Sequence, residues 1–582
     1  MKIPFFCSYI PVELLTALGH EVVDISLFEN EKYSLEYSCS LHDNICSYAK
    51  YLFSKIIDGE NKFDFVIVPK VCDAMKHLHS SLCFSGKIES FLLDVPGRKG
   101  EQSAKYLATQ YRTMLTQIAP DLDGVNKKIY LPVGENTPTV SARLLNCPEA
   151  DKCSVKIGVA GSSYRPALFR DILKKYDAGS IFLRHCGHGV VRSGAEQFLQ
   201  AASAEEELLA LARNSLQNTI CPRSDEGGMT NYIIAEIEKQ RLSGLIVTTL
   251  KFCDFYAFEL EKLNNKLPAE FPCLYLENDL SVNSDEQNIT RIEAFMEKIM
   301  SGKPTTKKLT KQAAATTDIY SVGLDIGSTT TKGILLKNGR DILASIIIPT
   351  SINMKDSADA ALAKLLAQSA IPEAHIFRTI YTGYGRTAFP DREQITEITC
   401  HAVGVNFLQP QDGTIIDIGG QDSKAIRVDE QGNVLRFAMN DKCAAGTGRF
   451  LEAMVQRMNV TFPQFSALSL AADHPTPISS MCSVFAESEV VSLMTKGIPV
   501  GSIARGLNFA IAERVCSLVR KIQGEAPFIL TGGLSLNTGF AGELENSLAC
   551  RVTIFAQAQL AGAIGAAVIA SRWEDIDKKG GS

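Results

Sequence analysis

"YSVGLDIGSTTTKGILLKNG" (residues 320–339) reads as an apolar strand, a tight polar turn and a second strand, because β-branched and aliphatic residues flank a Gly-Ser-Thr cluster. "GTIIDIGGQDSKAIRVDEQG" (residues 413–432) repeats the pattern. In each, an Asp-Ile-Gly is followed by a lysine seven residues after the aspartate: Asp325 to Lys332, and Asp417 to Lys424. This repeat predicts an internal duplication, with two related lobes whose hairpin turns face each other. A third glycine turn, "FILTGGLSLN" (residues 528–537), follows another apolar run.

Turns of this kind suit a nucleotide triphosphate held from both sides. Gly327, Ser328 and Thr329 offer backbone N–H groups to phosphate oxygens, and Lys332 adds a point charge. Gly419, Gly420 and Gln421 do the same in the second turn, while Gly532 and Gly533 pass under the adenosine. Asp325, Asp417 and Asp422 are the catalytic candidates, holding a hydrated Mg²⁺ that keeps several of its waters. No Walker A pattern is present, which excludes a P-loop fold. Three such turns in this order resemble the actin-like ATPase superfamily, in which sugar kinases, heat-shock chaperones and iron–sulfur ATPases share a fold.

Between the second and third turns stand "NDKCAAGTGRFLE" (residues 440–452) and "SSMCSVFAESEVVSLMTKG" (residues 479–497), each with a cysteine at a polar, helix-starting position. A helix N-terminus favours a phosphate, a thiolate or an anionic metal–sulfur cluster. Together with "GSTTTK", "DIGGQDSK" and "TGG", these stretches resemble the activator ATPases of 2-hydroxyacyl-CoA dehydratases, of the BadF/BadG/BcrA/BcrD type, over residues 320 to 572. That resemblance implies a [4Fe-4S] cluster bridging a homodimer, with Cys443 and Cys482 as its ligands in each protomer. Two cysteines per chain cannot complete a four-thiolate site, so the cluster requires dimerisation. The resemblance also implies ferredoxin or flavodoxin as electron donor. Glu487 and Glu489 are read in the first turns of the second helix, where their charge suits the dipole.

The upstream half has a different grammar. Strand and helix alternate, and "FVIVPKVCDAMKHL" is echoed by "GLIVTTLKFCDFYAFEL": each carries a Cys-Asp, Cys72-Asp73 and Cys253-Asp254, just beyond a buried strand. Open parallel sheets bind ligands beyond their strand ends. These stretches, with "CSYIPVELLTALGHEVV", "CSYAKYL" and "CLYLENDLSVNSDEQNITRIEAFMEKI", resemble the dehydratase-type subunits that such activators serve, and the related double-cubane cluster proteins. The resemblance implies cluster ligation by Cys46, Cys72 and Cys253, and extends it to Cys7 and Cys221. Three thiolates suit a [4Fe-4S] cluster with one open iron; five or six, with Cys39 as the sixth, suit an [8Fe-9S] double cubane. Both remain open here. The substrate class is correspondingly an acyl-CoA or another small molecule.

The chain has 582 residues, too many for one core. The fold expected is α/β: two Rossmann-like lobes with parallel sheets at residues 1–153 and 154–300, a polar linker at 301–317, and a duplicated actin-like domain at 318–575. At 45% hydrophobic, 21% charged and a formal net charge of -6, the composition lacks the basic face that nucleic acid requires. Glu13 interrupts the apolar N-terminus and no later run suits a bilayer, so a cytoplasmic protein without membrane partners is expected. Sixteen cysteines in such a compartment point to metal or redox chemistry. Cys147, Cys153, Cys273, Cys400, Cys516 and Cys550 lie in no motif and are read as small hydrophobes. His185 and His188 of "HCGHG" are read as a loop, and His77 and His79 as exposed helix positions. Function is therefore expected to be ATP-dependent iron–sulfur reduction; the alternative is a non-redox actin-like small-molecule kinase or nucleotide-dependent binding module.

Overall fold

The computed structural model describes residues 1–26, 41–42, 44–57, 59, 61–119, 153–162, 166–185, 203–219, 221, 228–268, 270–279, 282–301, 318–440, 446–478 and 483–572. Cys39, Cys147, Cys443, Cys482, the linker from 302 and residues 186–189 of the "HCGHG" stretch lie outside them. The chain divides into two compact units, Met1–Ile299 and Met300–Ser582. Among the described residues no helix is long and apolar enough to cross a membrane.

The first unit is built on parallel strands. β1 (Lys2–Phe5) pairs with β2 (Glu21–Asp24), and β3 (Phe65–Pro69) with β4 (Glu89–Leu93). The Asp64 N–H bonds the Lys2 carbonyl at 2.9 Å and brings β3 beside β1. A second sheet has the order β6-β5-β7-β8, from β5 (Val155–Gly161), β6 (Ala178–His185), β7 (Gly244–Leu250) and β8 (Cys273–Asn278). In both, the first strand lies between the second and third. β3 and β7 are buried along their whole length, as strands covered on both faces must be. The helix Glu101–Ile118 buries Ala104, Leu107, Tyr111, Met114 and Ile118, one face of a 3.6-residue period.

The chain also crosses back between these lobes. The helix Ala204–Asn218 lies in sequence between β6 and β7, yet its Leu208, Leu211 and Leu216 share a core with Tyr111 and the first lobe. Tyr111 bonds Ser215 at 3.2 Å, and Arg213 bonds Glu101 at 2.9 Å.

The second unit contains the duplication in its topology. One sheet runs β11-β10-β9-β12, from β9 (Tyr320–Ile326), β10 (Thr330–Lys337), β11 (Asp341–Pro349) and β12 (Ile376–Thr382). The other runs β15-β14-β13-β16-β17, from β13 (Gly413–Ile418), β14 (Ser423–Val428), β15 (Val434–Asn440), β16 (Phe528–Gly532) and β17 (Val552–Thr553). Each begins with an antiparallel meander, and each then adds a parallel strand beside the first.

Two helices close the structure between the sheets. A Cβ on Gly404 would stand 1.9 Å from the Ala561 carbonyl oxygen, and one on Gly565 would stand 1.8 Å from that of Cys400. The helices Glu397–Leu408 and Ala561–Ser571 therefore touch backbone to backbone, and only glycine permits it. Gly565→Ala should lower stability by roughly 1–3 kcal/mol, the usual cost of overpacking a tight core. Denaturant titration would read this as a lower midpoint at unchanged slope.

Candidate functional site

The two hairpins set equivalent groups in equivalent places. Asp325 stands opposite Lys332 in the β9–β10 register, and Asp417 opposite Lys424 in β13–β14. Cross-strand neighbours of opposite charge bond readily. Both pairs do, at 3.3 Å. The turns match as well, since the Gly327 N–H bonds the Thr330 carbonyl at 3.1 Å and the Gly419 N–H that of Asp422 at 3.0 Å. Asp422, also read as a magnesium ligand, lies 2.7 Å from the Lys424 ammonium. Gln421 is exposed at the tip of its turn.

The turns face each other closely. A Cβ on Gly420 would stand 2.2 Å from Thr329 Oγ1 and 3.2 Å from Ser328 Oγ, so that position requires glycine. Thr329 Oγ1 is buried and has no hydrogen-bond partner among the described residues. Behind them lies a second matched pair: Gly383, just after β12, and Gly532, the last residue of β16, both have φ of 82°. Their hypothetical Cβ atoms would stand 2.5 Å from Asp325 Oδ1 and 2.7 Å from Asp417 Oδ1. Glycine therefore leaves each carboxylate room to face the cleft. Gly533 has open space beside it.

Sequence reasoning missed several residues here. "YTGYG" (residues 381–385) repeats the Thr-Gly of "LTGGL" (residues 530–534), a signal present in the sequence. Thr531 Oγ1 donates to Asp417 Oδ1 at 3.1 Å, whereas Thr382 Oγ1 is buried without a partner among the described residues. Glu397, at the start of its helix, lies 3.4 Å from the Lys424 ammonium. His401, one turn on, lies 3.6 Å from Asp417 Oδ1.

The charges of this group are strongly linked. Burial pushes the Asp417 carboxyl up, but His401, Lys424, Lys332 and the Thr531 hydrogen bond overcome it and hold it at about 2. Burial opposes the Lys424 charge, yet Asp422, Glu397 and Asp417 keep it well above the usual lysine range. Burial raises Glu397 to about 7, with Lys424 opposing and Asp422 adding to the shift. The cleft thus holds an ionised aspartate, a protonated lysine and a glutamate poised near neutrality.

The helix that follows the Cys443 stretch is fixed to the second turn. The Gly448 N–H bonds the Gly419 carbonyl at 2.9 Å, and the Arg449 N–H bonds that of Gly420 at 2.9 Å. That helix, Gly448–Arg457, packs on Ser483–Thr495, the helix that follows Cys482, and Arg457 pairs with Glu487. With Ser483 as its first residue, the second helix has no acidic residue in its first turn; Glu487 serves the ion pair instead.

In the first unit five cysteines outside any disulfide stand at the ends of strands and helices. Cys7 follows β1, Cys72 caps the helix Asp73–Ser85 after β3, and Cys253 caps Asp254–Lys266 after β7. Cys46 precedes the helix Ser47–Ile57, and Cys221 follows Ala204–Asn218. Burial, helped by the neighbouring Cys221 and Cys72, raises Cys7 to about 12. Cys46 rises to about 12 by burial and the proximity of Cys253 and Cys72. Cys253 rises to about 11 by burial, with Cys72, Asp254 and Cys221 adding to it. Backbone hydrogen bonds at Tyr9, at Tyr48 and Ala49, and at Tyr256 oppose these shifts.

Cys72, Cys221 and Cys253 thus each act on at least one other thiol of the group, and Cys7, Cys46 and Cys253 each feel two. Among the described residues no group of three or more His, Cys, Asp or Glu is arranged to hold a metal ion. A multi-iron cluster distributes its thiolates over several irons, so its ligands need not share one coordination sphere. The donor set fits such a group: neighbouring, partly buried thiols are costly to ionise alone, and bound iron would supply the compensating charge. His79, read as exposed, is half-buried instead and bonds Ser90 at 3.1 Å.

The 2-hydroxyisocaproyl-CoA dehydratase activator of Clostridioides difficile is 41% identical to this chain over 253 residues, covering 43% of this chain and 95% of the relative. A model of the BadF/BadG/BcrA/BcrD ATPase family matches residues 322–570. The chain belongs to the BadF/BadG/BcrA/BcrD ATPase family. A second activator, that of lactoyl-CoA dehydratase from Anaerotignum propionicum, is 41% identical over 262 residues, covering 45% of this chain and all of the relative. The (R)-2-hydroxyglutaryl-CoA dehydratase activating ATPase of Acidaminococcus fermentans is 38% identical over 254 residues, covering 43% of this chain and 97% of the relative. The first unit matches a different model, that of the 2-hydroxyglutaryl-CoA dehydratase D-component, over residues 7–122 and 152–299. This BadF/BadG/BcrA/BcrD ATPase therefore joins an activator-type domain of actin-like fold to a dehydratase-component domain.

Proposed function

We propose that this chain is an ATP-dependent iron–sulfur reductase carrying its own activator, in which nucleotide turnover in the second unit drives low-potential electrons to a cluster held by the first. The observation that carries the reading is the convergence of Cys7, Cys46, Cys72, Cys221 and Cys253 in a chain that also bears a duplicated nucleotide cleft. An iron–sulfur cluster supplies reversible one-electron chemistry at low potential. The five thiols would hold it, and helix starts at Cys46, Cys72 and Cys253 favour the negative charge gathered there. Cys443 and Cys482 would hold the cluster shared with a second copy of the chain. An acyl-CoA or another small molecule would be the substrate, and ferredoxin or flavodoxin the donor.

In the cleft, Asp325, Asp417 and Asp422 would orient hydrated Mg²⁺, with Lys332 and Lys424 balancing their charge until phosphate and metal arrive. The lysines lie 3.3 and 2.7 Å from these carboxylates, and a Mg²⁺ held there would supply charge stabilisation to the phosphates. Glu397 would accept the proton of the attacking water, because its carboxyl titrates near the working pH. Thr329 and Thr382 carry buried hydroxyls without a partner among the described residues, which a bound nucleotide would satisfy.

The test is anaerobic. Protein purified without oxygen should be coloured, with iron and acid-labile sulfide, and a low-potential donor with Mg-ATP should reduce the centre of the first unit. Asp325→Ala should bind iron normally yet fail that reduction, as followed by electron paramagnetic resonance. Colourless protein without iron, or equal reduction rates in variant and wild type, would sink the reading.

A further inference from the structure

We infer that Arg449 is the residue by which the cleft distinguishes a triphosphate from a diphosphate; this deepens the ATPase reading and rests on it. Arg449 is bonded to both turns at once. Its backbone N–H donates to the Gly420 carbonyl at 2.9 Å, and its guanidinium Nη2 donates to the Ser328 carbonyl at 3.2 Å. One residue thus ties the turn after β13 to the turn after β9.

That second bond is made to a neutral acceptor. Among the described residues the guanidinium meets a neutral carbonyl and no carboxylate. A planar fork held by one neutral acceptor keeps donors free for a phosphate, which arginine binds in two parallel hydrogen bonds. The lysines of the cleft differ, since each is already paired with an aspartate. A separate observation marks the same place: Thr329 Oγ1, next to Ser328, is buried and lacks a partner among the described residues. An acceptor at this turn would satisfy both the hydroxyl and the arginine. A terminal phosphate provides such an acceptor, and its loss on hydrolysis would return the guanidinium to the Ser328 carbonyl.

The same helix explains how the difference would travel. Gly448–Arg457 starts on the second turn and ends at Arg457, which pairs with Glu487 of the helix Ser483–Thr495. A ten-residue helix moves as a rigid body, so a shift at its start appears at that ion pair. Coupling needs differential affinity for the two nucleotides, and Arg449 would provide it.

The experiment measures binding of Mg-ADP and of the Mg²⁺ complex of the β,γ-imido analogue of ATP to the full-length chain. Arg449→Ala should weaken the imido analogue by about 10- to 100-fold, the worth of a hydrogen bond to a charged group, and leave ADP unchanged. Arg449→Lys, which keeps the charge and loses the fork, should fall between. Unchanged ADP binding also reports that the variant is folded. In the wild type, amide exchange of Gly448 and Arg449 should differ between the two nucleotides; in Arg449→Ala it should not. Equal losses for both nucleotides, no loss for either, or identical exchange in the wild type overturns the inference. Wild-type protein that binds neither nucleotide overturns the ATPase reading itself.

Discussion

Cys72→Ala in the full-length, anaerobically purified chain should lose the iron of one cluster and keep that of the other. Cys72 is the thiol on which the gathered group converges, since it acts on Cys7, on Cys46 and on Cys253. It also caps a helix, so its sulfur lies where free backbone N–H groups favour negative charge. A partly buried thiol with only a packing role behaves as a small hydrophobe, and its replacement by alanine costs on the order of 1 kcal/mol. Such a change would leave iron and sulfide untouched. A ligand behaves differently, because its removal leaves an iron without a donor and frees the remaining buried thiols to take back protons at pH 7. Cys253→Ala, at the end of the matching strand in the second lobe, should give the same loss. Cys443→Ala should instead remove the other cluster. Full iron in both Cys72→Ala and Cys253→Ala would show that the gathered thiols are structural.

How much of this was legible in the sequence depends on how local each interaction is. Asp325 with Lys332 and Asp417 with Lys424 were readable because a hairpin brings residues seven apart into register, and the spacing survives in the sequence. Cys72 and Cys253 were readable for a similar reason, since each follows a run of buried strand directly. Cys221 was reached only through a family resemblance. It is brought to the other thiols by the helix Ala204–Asn218, which leaves its sequence neighbours to pack on Glu101–Ile118, and no local pattern announces that. The Thr382-Gly383 pair was present in the sequence but closes "IFRTIYT", whose first four positions are not buried and weaken the strand signal.

Glu397 and His401 could not have been read locally. Their importance comes from Lys424 and Asp417 on the neighbouring sheet, contacts made across the tertiary fold by a helix that packs closely at Gly404. His79 was misread for the opposite reason. Its helical position suggested exposure, but β4 brings Ser90 against it. Buried charge is a tertiary property, and sequence periodicity reports only which face of an element is apolar.

That tertiary property sets the second large effect expected of the cleft. Glu397→Gln should lower kcat for Mg-ATP hydrolysis by about 10²- to 10⁴-fold, the usual contribution of a general base, with little change in nucleotide affinity. The pH profile separates a proton acceptor from a structural carboxylate. Burial raises Glu397 to about 7, so its basic form grows as pH rises through that value, and kcat/KM of the wild type should climb from pH 6 to pH 8 and then level. The variant has no carboxyl to titrate and should lack that rise. Stability has the opposite sign. A carboxyl whose folded pKa stands above its ordinary 4.5 favours the folded state while protonated, so stability falls between about 4.5 and 7 as it ionises. Activity should therefore increase across the upper part of the range in which this group's contribution to stability declines. Asp417→Asn provides the contrast. Asp417 is held at about 2 and stays ionised throughout, so its loss should lower turnover without removing the rise near pH 7. A wild-type rate with the same pH profile in Glu397→Gln would place the base elsewhere and leave Glu397 as a partner of Lys424 alone.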